Sequence, residues 1–289
     1  MDLNQLQQKA NRLLALHKAP PILLLPNAWD VASARLFEDA GFPAVATSSA
    51  GIANMMGYAD GQKIPRAEML FIVERIARAL DVPVTADMEA GYSTTPEGAA
   101  GCAMAVLAAG AVGMNLEDGT GDPRAPLVDL ALQVARIKAI RSACDSAGVA
   151  FVLNARTDVF LDEVGDPASR FDHAVRRANA YRDAGASSLF VPGVIDPETI
   201  ARLVREIRGP INILAMAALR PDSVGAGCPS APDLERLGVA RVSVGAGPMR
   251  AIMSLTQRIA KDLFATGTYA SFTQDRMPGA EANNLFNHP

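Results

Sequence analysis

Residues 147–156 read Ala-Gly-Val-Ala-Phe-Val-Leu-Asn-Ala-Arg, and the organisation of this short stretch recurs along the chain. An Ala-Gly pair ends a helical pattern with a glycine that accepts the left-handed cap conformation. A run of apolar, strand-forming residues follows and ends in polar groups, Asn154 and Arg156. Four further helical patterns end in the same way before an apolar run, at Gly41, Gly110, Gly185 and Gly238. The repeat predicts strands that alternate with helices.

Eight strands are predicted from the apolar runs. They lie near residues 22–25, 43–47, 83–87, 112–116, 150–154, 187–191, 211–215 and 240–245. Helical patterns fit between them, and residues 66–80 place Met69, Val73 and Ile76 on one apolar face. Eight such units favour an α/β fold of the (β/α)8 TIM-barrel type, with a doubly wound open sheet as the alternative. We assign residues 1–265 to one barrel domain that includes an N-terminal helix, and residues 266–289 to a C-terminal tail.

Composition excludes several classes of partner. The chain has 289 residues, of which 49% are hydrophobic, and a net charge of -4. An acidic chain without a Lys/Arg cluster does not favour nucleic acid or an anionic membrane as a partner. The cysteines, Cys102, Cys144 and Cys228, lack metal-site spacing and are predicted to be free thiols. With no signal peptide or membrane-spanning run in the sequence, we expect a cytoplasmic protein.

The predicted strand ends carry the polar groups of a candidate site. In a (β/α)8 barrel the active site lies at the carboxyl ends of the strands. The candidate residues at these ends are Thr47, Ser48, Ser49, Asp87, Glu89, Glu117 and Arg156. Asp60, in the long loop after the second strand, is expected to fold over the same opening. Desolvating several carboxylates is unfavourable unless a cation pairs with them.

The type of side chain selects the cation. Four carboxylates without a histidine indicate a hard, oxygen-binding metal, so Mg²⁺ is the leading candidate and Mn²⁺ the second. His17, His173 and His288 lie away from the predicted strand ends, which supports neither a zinc site nor a Ser-His-Asp triad. Arg156 beside a metal suits a small substrate with a carboxylate, and the amides of residues 47–49 are candidates for the same anion.

Five structural alternatives stay open at this point. Residues 47–49 would also fit an ordinary loop, and Asp60 would also fit a turn residue before Gly61. Asp87 and Glu89 would also fit a salt-bridged barrel rim. Arg156 and Asp158 would also fit an internal ion pair that orders a loop. The segment 119–123 reads equally as an ordinary turn or as a lid over the active site.

The candidate residues fall within motifs that occur in order from about residue 20 to residue 260. They are Asn27-Ala-Trp29-Asp30, Thr47-Ser-Ser-Ala-Gly51, Gly57-Tyr-Ala-Asp60-Gly61, Ala86-Asp87-Met-Glu89-Ala-Gly91-Tyr92, Asn115-Leu-Glu117-Asp118 and Asn154-Ala-Arg156-Thr-Asp158. This series resembles the isocitrate lyase and phosphoenolpyruvate mutase superfamily. The resemblance implies a Mg²⁺-dependent barrel that acts on 2-oxo acids or their enolates. It also implies a homo-oligomer, usually a tetramer, in which neighbours exchange the last helix.

The same resemblance implies a role for each candidate residue. Asp87 would bind the metal directly, and Asp60, Glu89 and Glu117 would hold it through water. Arg156 would bind the substrate carboxylate or its enolate oxygen, so that Asp60, Glu117 and Arg156 form the catalytic group. Thr47, Ser48, Ser49, Asp87 and Arg156 form the substrate-binding group. Thr47 stands where many members have serine, Ser48 where they have glycine, and Glu89 where they have aspartate.

Two departures bear on the reaction. Members that cleave isocitrate or methylisocitrate carry a Lys-Lys/Arg-Cys-Gly-His loop after the Glu-Asp pair, and residues 117–126 here contain no cysteine. The Lys-Arg-Asn-Ser-type lid of phosphoenolpyruvate mutases is also missing. Met216 stands where many members have asparagine, which predicts a more apolar distal pocket.

We therefore expect a lyase that breaks a C–C bond of a small 2-oxo acid, or decarboxylates it, through a metal-stabilised enolate. Two alternatives remain: P–C bond chemistry on a phosphonate, and binding of a 2-oxo acid without catalysis. The sequence leaves open the identity of the substrate, the acid–base group, and the choice between dimer and tetramer.

Overall fold

A computed structural model describes residues 2–18, 20–215, 227–273 and 276–287. Nine parallel strands in these residues form one sheet in the order β1-β9-β8-β7-β6-β5-β4-β3-β2. The strands are β1 (Leu23–Leu25), β2 (Asn27–Ala28), β3 (Val45–Thr47), β4 (Val84–Asp87), β5 (Gly113–Glu117), β6 (Val152–Arg156), β7 (Ser188–Phe190), β8 (Ile211–Leu214) and β9 (Arg241–Ser243). The predicted TIM-type barrel is confirmed, and the open doubly wound sheet is not formed.

Proline splits the first strand of the barrel in two. The sequence predicts one strand near residues 22–25, whereas β1 pairs only with β9 and β2 pairs only with β3. Pro26 lies between them and has no N–H to donate, although its carbonyl accepts from Ala46 N at 2.8 Å. The eight expected strands are therefore nine segments, and the barrel closes across Pro26.

Asn27 strengthens this closure with its side chain. Its Nδ2 donates to the Thr47 carbonyl at 2.8 Å, and its Oδ1 accepts from the amides of Val244 and Gly245 at 2.9 Å each. One buried amide thus joins the end of β3 to the end of β9. In the sequence Asn27 begins the first of the ordered motifs, and in the structure it connects two strand ends.

Helices follow the strands as the repeat predicts. They are α1 (Leu3–Leu16), α2 (Val31–Asp39), α3 (Ser49–Met55), α4 (Arg66–Ala79), α5 (Pro96–Ala108), α6 (Leu130–Ser146), α7 (Pro167–Asp183), α8 (Pro197–Glu206), α9 (Ala231–Arg236), α10 (Gly247–Thr266) and α11 (Gly279–Asn284). Thr95 and Asp196 cap α5 and α8 ahead of a proline, which is the arrangement that their sequences favour. The five glycines that end the helical patterns all have positive φ, from 70° at Gly148 to 109° at Gly185.

Polar side chains fill much of the barrel interior. Branched apolar residues usually occupy this space, but here Asn115 aligns with Asn154, Asn154 with Ser188, and Asn212 with Arg241. Asn154 Nδ2 donates to Asn115 Oδ1 at 2.8 Å, and Asn115 Nδ2 donates to Asp87 Oδ1 at 3.1 Å. A chain of hydrogen bonds therefore leads from the interior to the carboxyl ends of the strands.

Helix α1 covers the amino ends of the strands. A side-chain carbon on Gly113 would lie 3.2 Å from Leu13 Cδ2, so the helix packs directly under β5. One turn later, His17 Nε2 lies 3.4 Å from Nη1 of the fully buried Arg241. Desolvation, reinforced by the Arg241 charge, lowers the pKa of His17 to about 4. Desolvation also lowers the pKa of Arg241 to about 9.

Helix α10 stands apart from the barrel core. None of its 20 residues is buried, although Ile252, Met253, Leu255 and Leu263 are large and apolar. Gly267 ends it in the left-handed conformation, and a 3-10 turn at Ala270–Phe272 follows. In the described part of the chain, no helix combines the length and the apolar character that crossing a membrane requires.

Candidate active site

Asp87 is held rigidly at the carboxyl end of β4. Its Oδ2 accepts from the amide and the hydroxyl of Ser49, at 3.1 and 2.8 Å, and its Oδ1 accepts from Asn115 Nδ2. Its own amide donates to Thr47 Oγ1 at 2.9 Å. The carboxylate therefore has one orientation before any ligand arrives, as a direct metal ligand requires.

Residues 47–49 are buried beneath Asp87. The Ser48 amide donates to the Ala28 carbonyl at 2.9 Å, and the Ser48 hydroxyl accepts from Gly51 N at the start of α3. These amides are thus already hydrogen-bonded within the protein. Anion binding by Thr47, Ser48 and Ser49 stays a prediction, and it would have to exchange those bonds.

Glu89 carries an unsatisfied oxygen. Its Oε2 accepts from the Gln62 amide at 2.7 Å, whereas Oε1 is buried and has no hydrogen-bond partner among the residues that the structure describes. Its backbone has φ 50°, a left-handed conformation that a glutamate rarely adopts and that recurs at functional sites. Desolvation, followed by the charges of Asp87 and Asp60, raises the pKa of Glu89 to about 7. A buried acceptor among like charges is the arrangement that a cation or its bound water relieves.

Arg156 lies between two carboxylates at the end of β6. Its Nη1 is 2.7 Å from Glu117 Oε2, and its Nε is 2.5 Å from Asp158 Oδ1. The internal Arg156–Asp158 pair that the sequence left open is therefore present, together with a second carboxylate. Phe190 supports the guanidinium from below, with its ring centroid 5.7 Å from Cζ.

Electrostatics at this triple are dominated by burial and by mutual attraction. Desolvation alone would lower the pKa of Arg156, but Asp158 and Glu117 outweigh it and raise that pKa. Desolvation raises the pKa of Asp158 to about 6 and the pKa of Glu117 well above its usual range, although Arg156 opposes both shifts. Because Arg156 is one positive charge between two carboxylates, these three groups together carry a surplus of negative charge.

Asp60 reaches the site from the loop after α3. Desolvation and the nearby charge of Asp87 raise its pKa, against a hydrogen bond from Gly61 N at 3.0 Å. The charges of Asp87 and Arg156 both act on Asp60, so the loop brings it over the same opening. The structure thus places Asp87, Glu89, Glu117 and Arg156 at or just after the ends of β4, β5 and β6, with Asp60 on a loop near them, and their roles stay a prediction.

The donor set fits a hard cation held largely through water. Four carboxylates face one arginine, and the orphaned Glu89 Oε1 adds an unused acceptor. In the described part of the chain, no three His, Cys, Asp or Glu side chains converge closely enough to bind a metal directly. Mg²⁺ retains several waters and binds proteins through one or two carboxylates, so one oriented carboxylate with others that reach it through water is compatible with this ion.

Sequence reasoning missed the buried polar residues of α6 and α7 that support the site. Gln133 Nε2 donates to the Glu117 carbonyl at 3.1 Å, and Arg136 donates to Gln133 Oε1 and to the carbonyls of Ala90 and Ser93. The sequence signal for their burial was their position, because Gln133 and Arg136 share the helix face that carries Ile137 and Ile140. A polar side chain in such a face indicates a buried polar partner.

The loop after Glu117 is exposed and closed on itself. Gly119 and Leu127 form an antiparallel bridge, and Thr120 Oγ1 donates to the Ala125 carbonyl at 2.6 Å. Asp122 pairs with Arg124 at 3.0 Å near its tip. The thiols lie elsewhere and are free, with Cys102 and Cys144 buried in α5 and α6. The predicted apolar contact of Met216 and the position of His288 lie outside the described residues.

Comparison with known proteins places this site in a family. The sequence pattern described as Phosphoenolpyruvate phosphomutase matches residues 13–264, which is most of the chain. The chain belongs to the phosphoenolpyruvate phosphomutase family. The resemblance drawn from the ordered motifs is confirmed.

Relatives of this phosphoenolpyruvate phosphomutase family member cover most of its length. An uncharacterised protein of Mycobacterium tuberculosis (strain H37Rv) is 36% identical over 236 residues, 81% of each chain. The 2-methylisocitrate lyase of Bacillus subtilis (strain 168) is 31% identical over 218 residues, 72% of this chain and 67% of the relative. A Burkholderia cenocepacia J2315 protein, assigned provisionally as a lyase or mutase, superposes with a TM-score of 0.90 at 35% identity, covering 99% and 98% of the two chains.

Proposed function

We propose that this protein is a Mg²⁺-dependent lyase that breaks a C–C bond of a small 2-oxo acid, by cleavage or decarboxylation. The observation that carries the proposal is Arg156, fixed between Glu117 and Asp158 beside carboxylates that outnumber it. A site with surplus negative charge needs a cation, and a fixed guanidinium at its edge selects a substrate carboxylate. The 31% identical 2-methylisocitrate lyase supports a lyase assignment.

The cation would be held by four side chains. Asp87 would bind it directly, because its carboxylate is already oriented by Ser49 and Asn115. Asp60, Glu89 and Glu117 would bind through water. When bound, the ion supplies positive charge that stabilises negative charge developing on the substrate oxygens.

The protein's own groups position the substrate. Arginine has five N–H donors, and Nε together with one Nη1 donor accounts for the two carboxylate contacts, which leaves donors for a substrate carboxylate. Phe190 beneath the guanidinium and the buried Asp158 keep Arg156 from turning away. Because Arg156 is already oriented, no free energy is needed to orient it when the substrate binds.

The missing thiol favours decarboxylation over aldol-type cleavage. When a 2-oxo acid carries a second carboxylate β to its carbonyl, that carboxylate leaves as CO2 and the electrons of the broken C–C bond form the enolate, so no base has to remove a proton from the substrate. Aldol-type cleavage requires a base to deprotonate a hydroxyl. The loop at residues 118–128 offers only Asp118, which is buried, and the mutually paired Asp122 and Arg124 as ionisable groups. Water entering past this exposed loop would provide the final proton.

A substrate panel tests the proposal. Oxaloacetate, methylisocitrate, longer 2-oxo acids and phosphonopyruvate would be incubated with protein and Mg²⁺, and the products identified by mass spectrometry. We expect a C–C cleavage or CO2-loss product from at least one carbon acid, suppressed by EDTA. Release of inorganic phosphate from phosphonopyruvate alone would replace the proposal with P–C chemistry. Tight binding with no product from any compound would replace it with a binding role.

We further propose that α10 is exchanged between the subunits of a homodimer or homotetramer, and that this assembly is cytoplasmic. Residues 266–289 would form a tail outside the barrel. A helix of 20 residues with no buried side chain and five exposed large apolar ones, including Phe264, needs a partner surface. Light scattering after size exclusion would give the subunit number. Ile252→Glu with Leu255→Glu should shift it to monomer, and the control Arg258→Glu on the same helix should not.

A further inference from the structure

Asp118 lies next to Glu117 but is turned away from the opening. Its side chain is completely buried, and so is that of Tyr181. Asp118 Oδ2 accepts from Arg177 Nε at 2.7 Å and from the Tyr181 hydroxyl at 2.5 Å. A buried carboxylate with a charged partner and a second donor on the same oxygen is fixed in place.

The other oxygen of Asp118 holds the arginine clamp from behind. Asp118 Oδ1 accepts from the Asp158 amide at 2.9 Å, and Asp158 Oδ1 accepts from Arg156 Nε at 2.5 Å. The backbone adds a second link, because Asp118 N donates to the Arg156 carbonyl at 3.2 Å. Any shift of Asp118 therefore moves the carboxylate that orients Arg156.

The same residue fixes the base of the exposed loop. The Asp118 carbonyl accepts from Val128 N at 2.8 Å, and Arg177 Nη2 donates to the Val128 carbonyl. The loop is thus anchored at residues 118 and 128, while its contacts between residues 119 and 127 are internal. Arg177 and Tyr181 on α7 thereby hold the loop base and the clamp through one carboxylate.

We propose that Asp118 is a positioning residue, anchored by Arg177 and Tyr181, that sets the orientation of Arg156 and so the affinity for the substrate carboxylate. The inference rests on the proposed function, since it assigns Asp118 a part in gripping a 2-oxo acid. Two of the proposed cation ligands, Asp87 and Glu89, have hydrogen bonds that do not involve Asp118, whereas Glu117 is its neighbour in the chain.

A double-mutant cycle separates this role from a merely structural one. Oxalate, a planar dicarboxylate that resembles the enolate of a 2-oxo acid, would be titrated calorimetrically with Mg²⁺ into wild type, Asp118→Asn, Arg156→Lys and the double variant. Asparagine has a single side-chain oxygen. If that oxygen accepts from Asp158 N, an amide donor faces Arg177 and Tyr181, and if it accepts from Arg177 instead, the acceptor for Asp158 N is lost. We expect Asp118→Asn to weaken oxalate binding about tenfold in wild type and less than about threefold in Arg156→Lys.

Two further measurements protect the interpretation. Affinity for Mn²⁺ alone, followed by electron paramagnetic resonance, should stay within about twofold in Asp118→Asn, because Asp87, the proposed direct ligand, and Glu89 keep their hydrogen bonds. If Asp118→Asn fails to fold, Tyr181→Phe takes its place, because this change removes one hydrogen bond and keeps the ring. Oxalate affinity should then fall about threefold, and the loss should depend on Arg156 in the same way. The matched control is Arg141→Met. Arg141 donates to the carbonyl of Phe151, which directly precedes β6, whereas Arg156 lies at the other end of that strand. It should destabilise the fold without changing oxalate affinity.

Equal losses of oxalate affinity in the wild-type and Arg156→Lys backgrounds would overturn this inference and leave the proposed function standing. A parallel loss of Mn²⁺ affinity would overturn it as well. Failure of wild type to bind oxalate in the presence of Mg²⁺ would overturn the inference and the proposed function together.

Discussion

Two arginines lie at the two ends of the barrel, Arg156 half-buried and Arg241 buried, and their surroundings differ. Arg156, at the carboxyl ends of the strands, has a carboxylate on each side at 2.7 and 2.5 Å. Arg241, at the amino ends, meets neutral His17, and no carboxylate of the described residues lies within ion-pair distance of it. The pKa of Arg156 is raised by its carboxylates, and the pKa of Arg241 is lowered by burial to about 9.

The difference teaches that a buried charge alone does not identify an active site. At the amino ends α1 encloses the charge of Arg241. Because His17 beside it is neutral, no second positive charge lies next to Arg241. At the carboxyl ends carboxylates exceed the arginine, Glu89 Oε1 has no partner, and the side chains border an exposed loop. Arg241 Nε is also buried without a hydrogen-bond partner among the described residues, so an unpartnered atom does not separate the two ends. The surplus of carboxylates at the opening does separate them, and it indicates that a cation completes the site.

The largest expected effect is at the carboxyl ends. Asp87→Ala removes the proposed direct ligand and should lower kcat by about 10³-fold or more, because the cation contributes several kcal/mol of transition-state stabilisation. Steady-state kinetics with the substrate found in the panel would measure it. Asp172→Ala, an exposed carboxylate on α7, serves as the control and should leave kcat unchanged. Full activity in Asp87→Ala would refute the metal assignment.

The comparison of the two arginines can be tested directly by exchanging each for lysine. Arg156→Lys keeps the charge but loses the paired donors, and kcat/KM should fall about 10²-fold. Arg241→Lys makes the same chemical change away from the substrate, and kcat/KM should stay within about threefold. Similar losses in both variants would mean that the two ends of the barrel are not functionally distinct.

A smaller effect is expected on stability at the amino ends. Unfolded His17 takes up a proton below its ordinary pKa of 6.5, whereas folded His17 stays neutral down to about 4. Its neutral burial therefore supports the fold above pH 6.5, and this support is lost as the pH falls from 6.5 towards 4. Urea unfolding of wild type and His17→Gln at pH 7 and pH 5 should differ in pH dependence by about 2 kcal/mol. Parallel pH profiles would show that His17 is protonated in the folded state.

The smallest effect should come from the tip of the exposed loop. Arg124 pairs only with its neighbour Asp122 and is 90% exposed, so Arg124→Ala should change kcat/KM by less than about threefold and leave Tm unchanged. The measurement is the same kinetic assay with a thermal melt. A loss comparable with that of Arg156→Lys would make Arg124 part of the catalytic machinery.

The fold could be predicted from the sequence because its signals are local. Helix ends at Gly148 and Gly185, caps at Thr95 and Asp196, and apolar runs each act within a few residues. The broken first strand was missed because Pro26 follows an apolar run without changing its pattern. Only the pairing partners of β1 and β2 show that the strand serves two neighbours.

The candidate site could be predicted in part for the same reason. Asp87, Glu89, Glu117 and Arg156 follow strands directly, so the topology alone brings them together. The supports come from distant positions such as Arg177 and Tyr181, 59 and 63 residues from Asp118. Contacts across that separation depend on how α7 packs, which no local pattern encodes.

Asn27 gives the closure of the barrel a measurable signature. Its side-chain oxygen accepts from the amides of Val244 and Gly245 at the edge of the opening. Its side-chain nitrogen donates to the Thr47 carbonyl. Hydrogen exchange at these two amides therefore requires the seam beside Pro26 to part, and their exchange rates report the opening of the barrel itself. A ligand that spans the opening should slow both amides together, which makes ligand occupancy and barrel integrity readable from the same two protons.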